Sequence, residues 1–165
     1  MEELKVKNAI ISKQGKETAN YKRFLKLVKE KNIKVHIAKI DEKIKIENNI
    51  NVEILWPSEA LIASNILNNN SLVIKLTYNN FTMLFTGDIE KIAEEEIINK
   101  YEKTNRLSST IIKIAHHGSK TSSIQEFINL AKPQIALIGV GKNNNFGHPN
   151  DEVLKRLEDS RNKNI

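Results

Sequence analysis

Apolar residues recur along this chain at two spacings, one typical of helices and one typical of strands. The clearest helix is predicted over residues 17–31, where Tyr21, Phe24, Leu25 and Val28 fall three or four residues apart. Lysines occupy the other positions of that segment. One face of the predicted helix should therefore pack against the protein, and the remaining faces should meet water.

Strands are predicted wherever short runs rich in β-branched residues alternate with polar ones or end at turn residues. In one run, Ile33, Val35 and Ile37 alternate with polar residues, which predicts a half-buried strand. The pairs Asn48–Asn49 and Asn79–Asn80 predict hairpin turns. The predicted strands cover 6–12, 33–38, 43–46, 52–55, 71–78, 81–86, 110–115 and 135–140. Further helices are predicted over 89–103, 123–130 and 151–159, and a loop or short helix over 58–70.

The order of these elements indicates the fold class. Strands outnumber helices and several neighbouring strands should form hairpins, whereas the last third alternates strand, helix, strand, helix. This mixture predicts an α+β or layered α/β/β/α arrangement. A length of 165 residues is ordinary for one domain.

Composition narrows the chemistry. Hydrophobic residues make up 39% of the chain and charged residues 28%, as in soluble globular proteins. No apolar run approaches the roughly 20 residues of a membrane span, and no signal peptide is visible, so a soluble domain is expected. Cysteine is absent, which excludes disulfides and thiolate metal sites. Any metal ion would have to be held by histidine and carboxylate.

The net charge of +6 is concentrated near the start of the chain. Residues 1–50 carry 13 Lys and Arg against 7 Asp and Glu, whereas the two signs balance in the rest. A basic region of this kind attracts phosphate backbones. The alternative is a lysine-rich surface that simply faces solvent.

Four polar residues, Asp88, His116, His117 and His148, lie at the C-terminal ends of predicted strands or in the loops that follow them. Asp88 follows the strand that ends at Thr86, and the adjacent His116 and His117 follow the strand that ends at Ala115. Strands that end on the same edge of one sheet bring such residues together, and imidazole and carboxylate are ligands for Zn²⁺ or Mn²⁺. Each residue also has an ordinary structural role. Asp88 is a candidate helix N-cap, the histidine pair would be one packed and one exposed imidazole, and His148 would be a turn residue before proline. The fourth histidine, His36, is expected on the polar surface.

Several motifs together resemble a known family. Leu84–Asp88 (L-F-T-G-D), Lys113–Ser123 (K-I-A-H-H-G-S-K-T-S-S) and Ile138–Pro149 (I-G-V-G-K-N-N-N-F-G-H-P) resemble the metallo-β-lactamase-like domain of ComEC-type competence proteins, the membrane proteins of bacterial DNA uptake. Asn68–Leu76 is similar to the family strand that precedes T-G-D. The similarity is good over about residues 50–160 and weak over the first 50.

The resemblance implies an αββα metallo-β-lactamase-like fold with a two-metal site for Zn or Mn and phosphodiester substrates, with DNA as the expected substrate. Asp88 would be the bridging carboxylate and His117 a ligand of the second metal ion. His116 would face the substrate as a proton donor or phosphate contact, and because neighbouring residues point in different directions, the two histidines should not share one ion. No small-molecule cofactor is implied. The residues expected to line the substrate site are His148, Ser119 and Asn70.

One departure from the family pattern shapes these expectations. The family's principal metal motif, H-x-H-x-D-H, has no match in residues 1–67, where the only histidine is His36. Residues 1–165 are therefore expected to be a single partial domain, the C-terminal portion of the sandwich, that binds metal poorly and is inactive alone. The expected partners are nucleic acid and either the missing N-terminal half or a membrane-channel region, which would place the domain at the bacterial cell envelope. The alternative is a non-catalytic remnant that serves as a basic module binding nucleic acid or protein.

Overall fold

A computed structural model describes residues 3–13 and 17–162, with the side chains of 161 and 162 left undescribed. Within these residues, eight strands and five α-helices follow one another along the chain. The strands are β1 Asn8–Ile11, β2 Lys34–Ile37, β3 Lys43–Glu47, β4 Ile50–Trp56, β5 Val73–Tyr78, β6 Phe81–Phe85, β7 Ile111–Lys113 and β8 Ile135–Leu137. The helices are α1 Ala19–Glu30, α2 Ile66–Asn69, α3 Lys91–Tyr101, α4 Gln125–Ala131 and α5 Asp151–Asn162.

Six strands form the central sheet in the order β3-β4-β5-β6-β7-β8. The first four are antiparallel neighbours. The two predicted asparagine turns connect β3 to β4 and β5 to β6, whereas a long segment that contains α2 connects β4 to β5. The last three strands, β6, β7 and β8, are parallel. Helices connect these parallel strands, because a parallel pair needs a long crossover.

One face of the sheet is covered by helices. The largest apolar cluster joins Leu84 of β6 and Ile112 of β7 to Ile97 of α3 and Phe127 of α4, all of them buried. Val153 of α5 belongs to the same cluster. The apolar stripes of α3, α4 and α5 therefore hold the parallel half of the sheet in place, and with it the loops at the strand ends.

The opposite face of the sheet packs on β1 and β2, which form a separate two-stranded parallel sheet. Ala38, just after β2, is buried against Val52 and Ile54 of β4. The prediction that residues 33–38 form a half-buried strand is wrong in part, because Val35 and Ile37 remain 38% and 52% exposed. Alternation identified the apolar face correctly, but among the described residues only Ile33, at its start, is buried.

The α+β class with antiparallel hairpins in one part is confirmed. The expectation that three strands end on one edge of one sheet is also confirmed, because β6, β7 and β8 run side by side in the same direction. Two of these strands are shorter than predicted: β7 ends at Lys113 and β8 ends at Leu137. In both cases the backbone leaves the sheet early to form the loops that carry the polar residues.

Candidate functional site

The loops after β6, β7 and β8 are joined to one another at this edge of the sheet. The His116 backbone N–H donates to the Gly87 carbonyl at 3.2 Å, and the Thr86 hydroxyl donates to the Lys113 carbonyl at 2.6 Å. The Asn150 backbone N–H donates to the Gly118 carbonyl at 2.9 Å. These hydrogen bonds fix the positions of residues that are far apart in sequence.

Two glycines allow the loops to approach this closely. Gly87 has φ +57°, and a Cβ there would lie 2.6 Å from the Ser71 Cβ. Gly118 has φ +80°, and a Cβ there would lie 2.8 Å from the Pro149 Cβ. A side chain at either position would combine a steric clash with an unfavourable backbone conformation. Gly118 of H-H-G-S is therefore required by the contact between two of these loops, and Gly87 of T-G-D by the contact with the segment that precedes β5.

The two adjacent histidines adopt a backbone conformation that side-chain-bearing residues rarely adopt. His116 has φ 46° and ψ 44°, and His117 has φ 56° and ψ 21°. Each left-handed residue of this kind costs about 1–2 kcal/mol. Such residues cluster at functional sites, where the surrounding structure maintains them. This turn ends the strand at Lys113 and directs the two imidazoles to different partners.

His117 faces Asp88. The His117 Nε2 lies 3.8 Å from the Asp88 Oδ1, and the His117 Nδ1 lies 2.6 Å from the Gly139 carbonyl oxygen. Because a carbonyl can only accept, Nδ1 carries the proton and the lone pair is on Nε2, the nitrogen nearer Asp88. A backbone carbonyl that fixes the tautomer of an imidazole in this way is a common support for a metal ligand.

The alternative interpretation of Asp88 as a helix N-cap is wrong. Helix α3 begins at Lys91, and its N-cap position is Glu90, whose side chain makes no capping hydrogen bond. Asp88 lies two residues earlier, with its side chain partly exposed beside His117. Its carboxylate is therefore available for chemistry at the sheet edge.

The residues present fit a metal ion in kind and spacing but not in number. A carboxylate oxygen and an imidazole nitrogen are typical zinc donors, each about 2.0–2.2 Å from the ion, and a separation of 3.8 Å needs only a small adjustment for both to reach one ion. A structural zinc site takes four ligands and a catalytic site takes three plus water. Across residues 3–13 and 17–162, no group of three or more acidic and histidine side chains has the spacing to hold an ion. The described residues therefore offer Asp88 and His117 as two possible donors, fewer than either kind of zinc site takes.

His116 has a different environment from His117. Its Nδ1 lies 3.4 Å from the Glu90 Oε1, without the geometry of a hydrogen bond, and has no other partner in the described part of the chain. The Thr121 hydroxyl donates to the same Glu90 oxygen at 3.1 Å, and the Ser119 hydroxyl lies 3.0 Å from that of Thr121. His116 is thus backed by a carboxylate that can accept from it when it is protonated.

The three residues expected to line the substrate site lie in different places. The His148 ring is brought to the site, with its centroid 6.0 Å from that of His116. Ser119 is 6% exposed and lies behind His116, in the hydrogen-bond chain to Glu90. Asn70 is fully buried: its Oδ1 accepts from the Ile62 N–H and its Nδ2 donates to the carbonyls of Ile62 and Ile66. Asn70 thus holds the loop before β5 and has no surface to offer a substrate.

Sequence reasoning missed two residues that support the site. Glu90 contacts both His116 and Thr121, and it stands only two residues after Asp88 in the motif T-G-D-I-E. Asn69, the neighbour of Asn70, is also buried, and its Oδ1 accepts from the Glu90 backbone N–H at 3.1 Å. The second acidic residue of the motif was a visible signal, whereas choosing between two adjacent asparagines needed the structure.

The prediction that His36 lies on the polar surface is confirmed. Its Nε2 lies 2.8 Å from a carboxylate oxygen of Glu42, and the ring is about half exposed.

No helix among the described residues is both long and apolar enough to span a membrane.

Comparison with known proteins supports the resemblance seen in the motifs. The chain is 31% identical to ComE operon protein 3 of Bacillus subtilis (strain 168) over 154 residues, which are 93% of this chain and 19% of that protein. It is 32% identical to Competence protein ComA of Neisseria gonorrhoeae over 108 residues, 66% of this chain and 15% of that protein. The chain matches a domain of ComEC-type competence proteins. It spans about a fifth or less of the length of these relatives.

Two other comparisons do not strengthen the match to ComEC-type proteins. No protein-family model matches the chain. A solved structure of the metallo-β-lactamase fold protein YhfI from Bacillus subtilis is similar over 91% of this chain and 57% of that chain, at 11% identity and a TM-score of 0.44. At that score the likeness supports no argument about the fold.

Proposed function

We propose that this chain supplies part of the active site of a metal-dependent phosphodiesterase that acts on DNA during competence-related uptake. The observation that carries the proposal is the pair formed by Asp88 and His117, with the His117 tautomer fixed by the Gly139 carbonyl. The motifs that hold this pair are those that resemble ComEC-type proteins, and the chain matches a domain of that family. The names of the two relatives, ComE operon protein 3 and Competence protein ComA, support the connection to competence.

Asp88 and His117 would hold a Zn²⁺ or Mn²⁺ ion. An ion with an open position lowers the pKa of a bound water to near neutrality and stabilises charge on a phosphoryl oxygen. The remaining ligands would come from a region outside the described residues, as expected for the C-terminal portion of a metallo-β-lactamase-like domain. The site therefore depends on a second region of protein, either from the same gene product or from a partner.

His116 acts on the substrate rather than on the metal in this proposal. Its Nδ1 lies on the side of Glu90, at 3.4 Å from Oε1, and its Nε2 would be the donor toward a phosphate or leaving oxygen. General acid catalysis of this kind contributes roughly 10²- to 10⁴-fold to a rate. Glu90 and Thr121 then position the imidazole without contacting the substrate.

The test measures cleavage of labelled single-stranded DNA by the chain together with the polypeptide encoded immediately upstream, with Mn²⁺ and after chelation. Asp88→Asn and His117→Ala should abolish cleavage, because each removes a metal ligand. His116→Ala should reduce cleavage by about 10²- to 10⁴-fold while metal binding is retained. His36→Ala, which removes a surface imidazole, is the matched control and should have no effect. Cleavage that persists in Asp88→Asn would contradict the proposal.

A second candidate function is favoured by one observation: the described residues offer two metal ligands and not three. A non-catalytic module would bind DNA or a protein partner through its basic surface. Such a module should bind DNA with the same affinity in the wild type and in the Asp88→Asn variant, and should show no metal-dependent cleavage in any combination with the upstream polypeptide. The cleavage assay therefore separates the two functions.

A further inference from the structure

Phe146 is exposed in a way that its surroundings do not explain. Its side chain is 81% exposed, although it lies in a polar loop of asparagine and glycine next to the candidate site. One face of its ring stacks on His148, with centroids 5.8 Å apart and planes inclined by 19°. The other face is open to solvent. An exposed aromatic ring at the edge of a site is a surface available for stacking.

The loop is built to hold this ring in place. Asn144 uses its whole hydrogen-bonding capacity within the loop: its Oδ1 accepts from the backbone N–H groups of Phe146 and His148 at 3.1 and 3.0 Å. Its Nδ2 donates to the carbonyls of Gly141 and His148 at 3.1 and 2.7 Å. The stacked pair of rings is therefore preorganised, which lowers the entropy cost of binding a ligand there.

Next to the stacked rings lies an open cavity of about 430 Å³, and the rings lead toward the proposed chemistry. The cavity is lined by Phe146, His148, Val140 and His117, among others. From Phe146 the centroid distances are 5.8 Å to His148 and then 6.0 Å from His148 to His116. A short run of nucleotides can span the distance between a base on Phe146 and a phosphate at His116.

We propose that Phe146 and His148 form a stacking platform for an unpaired base of single-stranded DNA whose phosphate lies at His116 and His117. The proposal rests on the proposed function and deepens it by selecting single strands over duplex, since neighbouring bases stack on both faces of a base inside a duplex. Stacking on an aromatic ring tolerates any base, which suits an enzyme that must process arbitrary sequence. The exposed Lys142 on the same loop favours a polyanion over an apolar protein surface.

Binding is tested with the whole chain in the presence of chelator, so that neither metal loading nor cleavage affects the result. The probe is a fluorescein-labelled oligothymidylate, and its affinity is followed by anisotropy. Phe146→Ala should weaken binding roughly 5- to 150-fold, since loss of one base–aromatic stack by alanine substitution has effects of that size. Phe81→Leu is the matched control, because Phe81 is also partly exposed but begins β6, at the end of the strand remote from the site.

Two further measurements identify stacking as the cause. An abasic oligomer with the same number of phosphates should bind wild type and Phe146→Ala equally. In Phe146→Trp the new indole emission should be quenched by the oligothymidylate, against a constant background from the single native tryptophan, Trp56, which is 3% exposed. A circular-dichroism melt confirms that each variant is folded.

Equal binding of oligothymidylate by wild type and Phe146→Ala would overturn the proposal, as would tight binding of the abasic oligomer by wild type. A preference for duplex over single strand would overturn it too. Loss of cleavage in the assay of the proposed function leaves this binding result unchanged, so failure of the catalytic proposal and failure of the platform are distinguishable.

Discussion

The loop that follows the paired histidines is anchored by a buried carboxylate, and this makes a prediction about stability. Glu94 of α3 is fully buried, and its two oxygens accept from the backbone N–H groups of Ser123 and Ile124 at 2.6 and 2.9 Å. Burial raises the pKa of Glu94 from its usual 4.5 to about 7, against the opposing effect of these hydrogen bonds and of Arg156. The folded protein thus holds this proton more tightly than the unfolded chain does.

The direction of the pH dependence follows from this difference. Below pH 4.5 the carboxyl is protonated in both states, and its contribution to stability is fully present. As the pH rises from 4.5 through 7 the unfolded state ionises first, so the free energy of unfolding falls. The difference between 7 and 4.5, at 1.36 kcal/mol per pH unit, amounts to about 3 kcal/mol, most of it lost between pH 5 and pH 8.

Glu94→Gln removes the titration while keeping the shape of the side chain. The free energy of unfolding of wild type minus that of Glu94→Gln should fall by about 2–3 kcal/mol between pH 5 and pH 8, measured by urea unfolding and followed by Trp56 fluorescence. Glu95→Gln is the matched control, because Glu95 is half exposed and only pairs with Lys91 at 3.6 Å on the helix surface. A wild-type minus Glu94→Gln difference that is the same at both pH values would refute the reasoning.

Two further predictions concern close contacts. Gly118→Ala should lower the free energy of unfolding, measured by thermal melts, by roughly 1–3 kcal/mol, because of the left-handed backbone and the clash with Pro149. Gly139→Ala is the control and should have little effect, because a Cβ there meets nothing within 4 Å. Tyr101→Phe should cost about 1–3 kcal/mol, because the buried hydroxyl shares its one hydrogen between the Asp41 carboxylate at 2.9 Å and the Leu55 carbonyl at 3.2 Å. Tyr78→Phe, at an exposed position, is its control, and an equal loss in both tyrosine variants would contradict the reasoning.

The sheet edge could be predicted from sequence because the same pattern repeats there three times. Each of β6, β7 and β8 is an apolar run that ends in a polar loop, and parallel neighbours necessarily place such loops together. That argument brought Asp88 and His117 to one place without any knowledge of their contacts. The grouping depends only on strand direction, which hydrophobic pattern and connection length determine well.

The directions of individual side chains, and whether another element covers an apolar face, could not be predicted in the same way. Asn69 and Asn70 are adjacent and both buried, yet only Asn69 reaches Glu90, because side-chain direction depends on the local backbone of a short helix. The early end of β7 depends on the left-handed conformation of His116, which composition does not reveal. Likewise, the alternation around Ile37 marks an apolar face but does not say whether another element covers it.

The most direct test of the central claim is whether Asp88 and His117 bind one metal ion together. The measurement is a Zn²⁺ titration of the chain followed by ¹⁵N NMR of its four histidine rings. We predict weak binding that shifts the His117 Nε2 resonance, leaves Nδ1 protonated toward the Gly139 carbonyl, and disappears in Asp88→Asn. Binding that is unchanged in Asp88→Asn, or a tight stoichiometric site formed by this chain alone, would contradict the account.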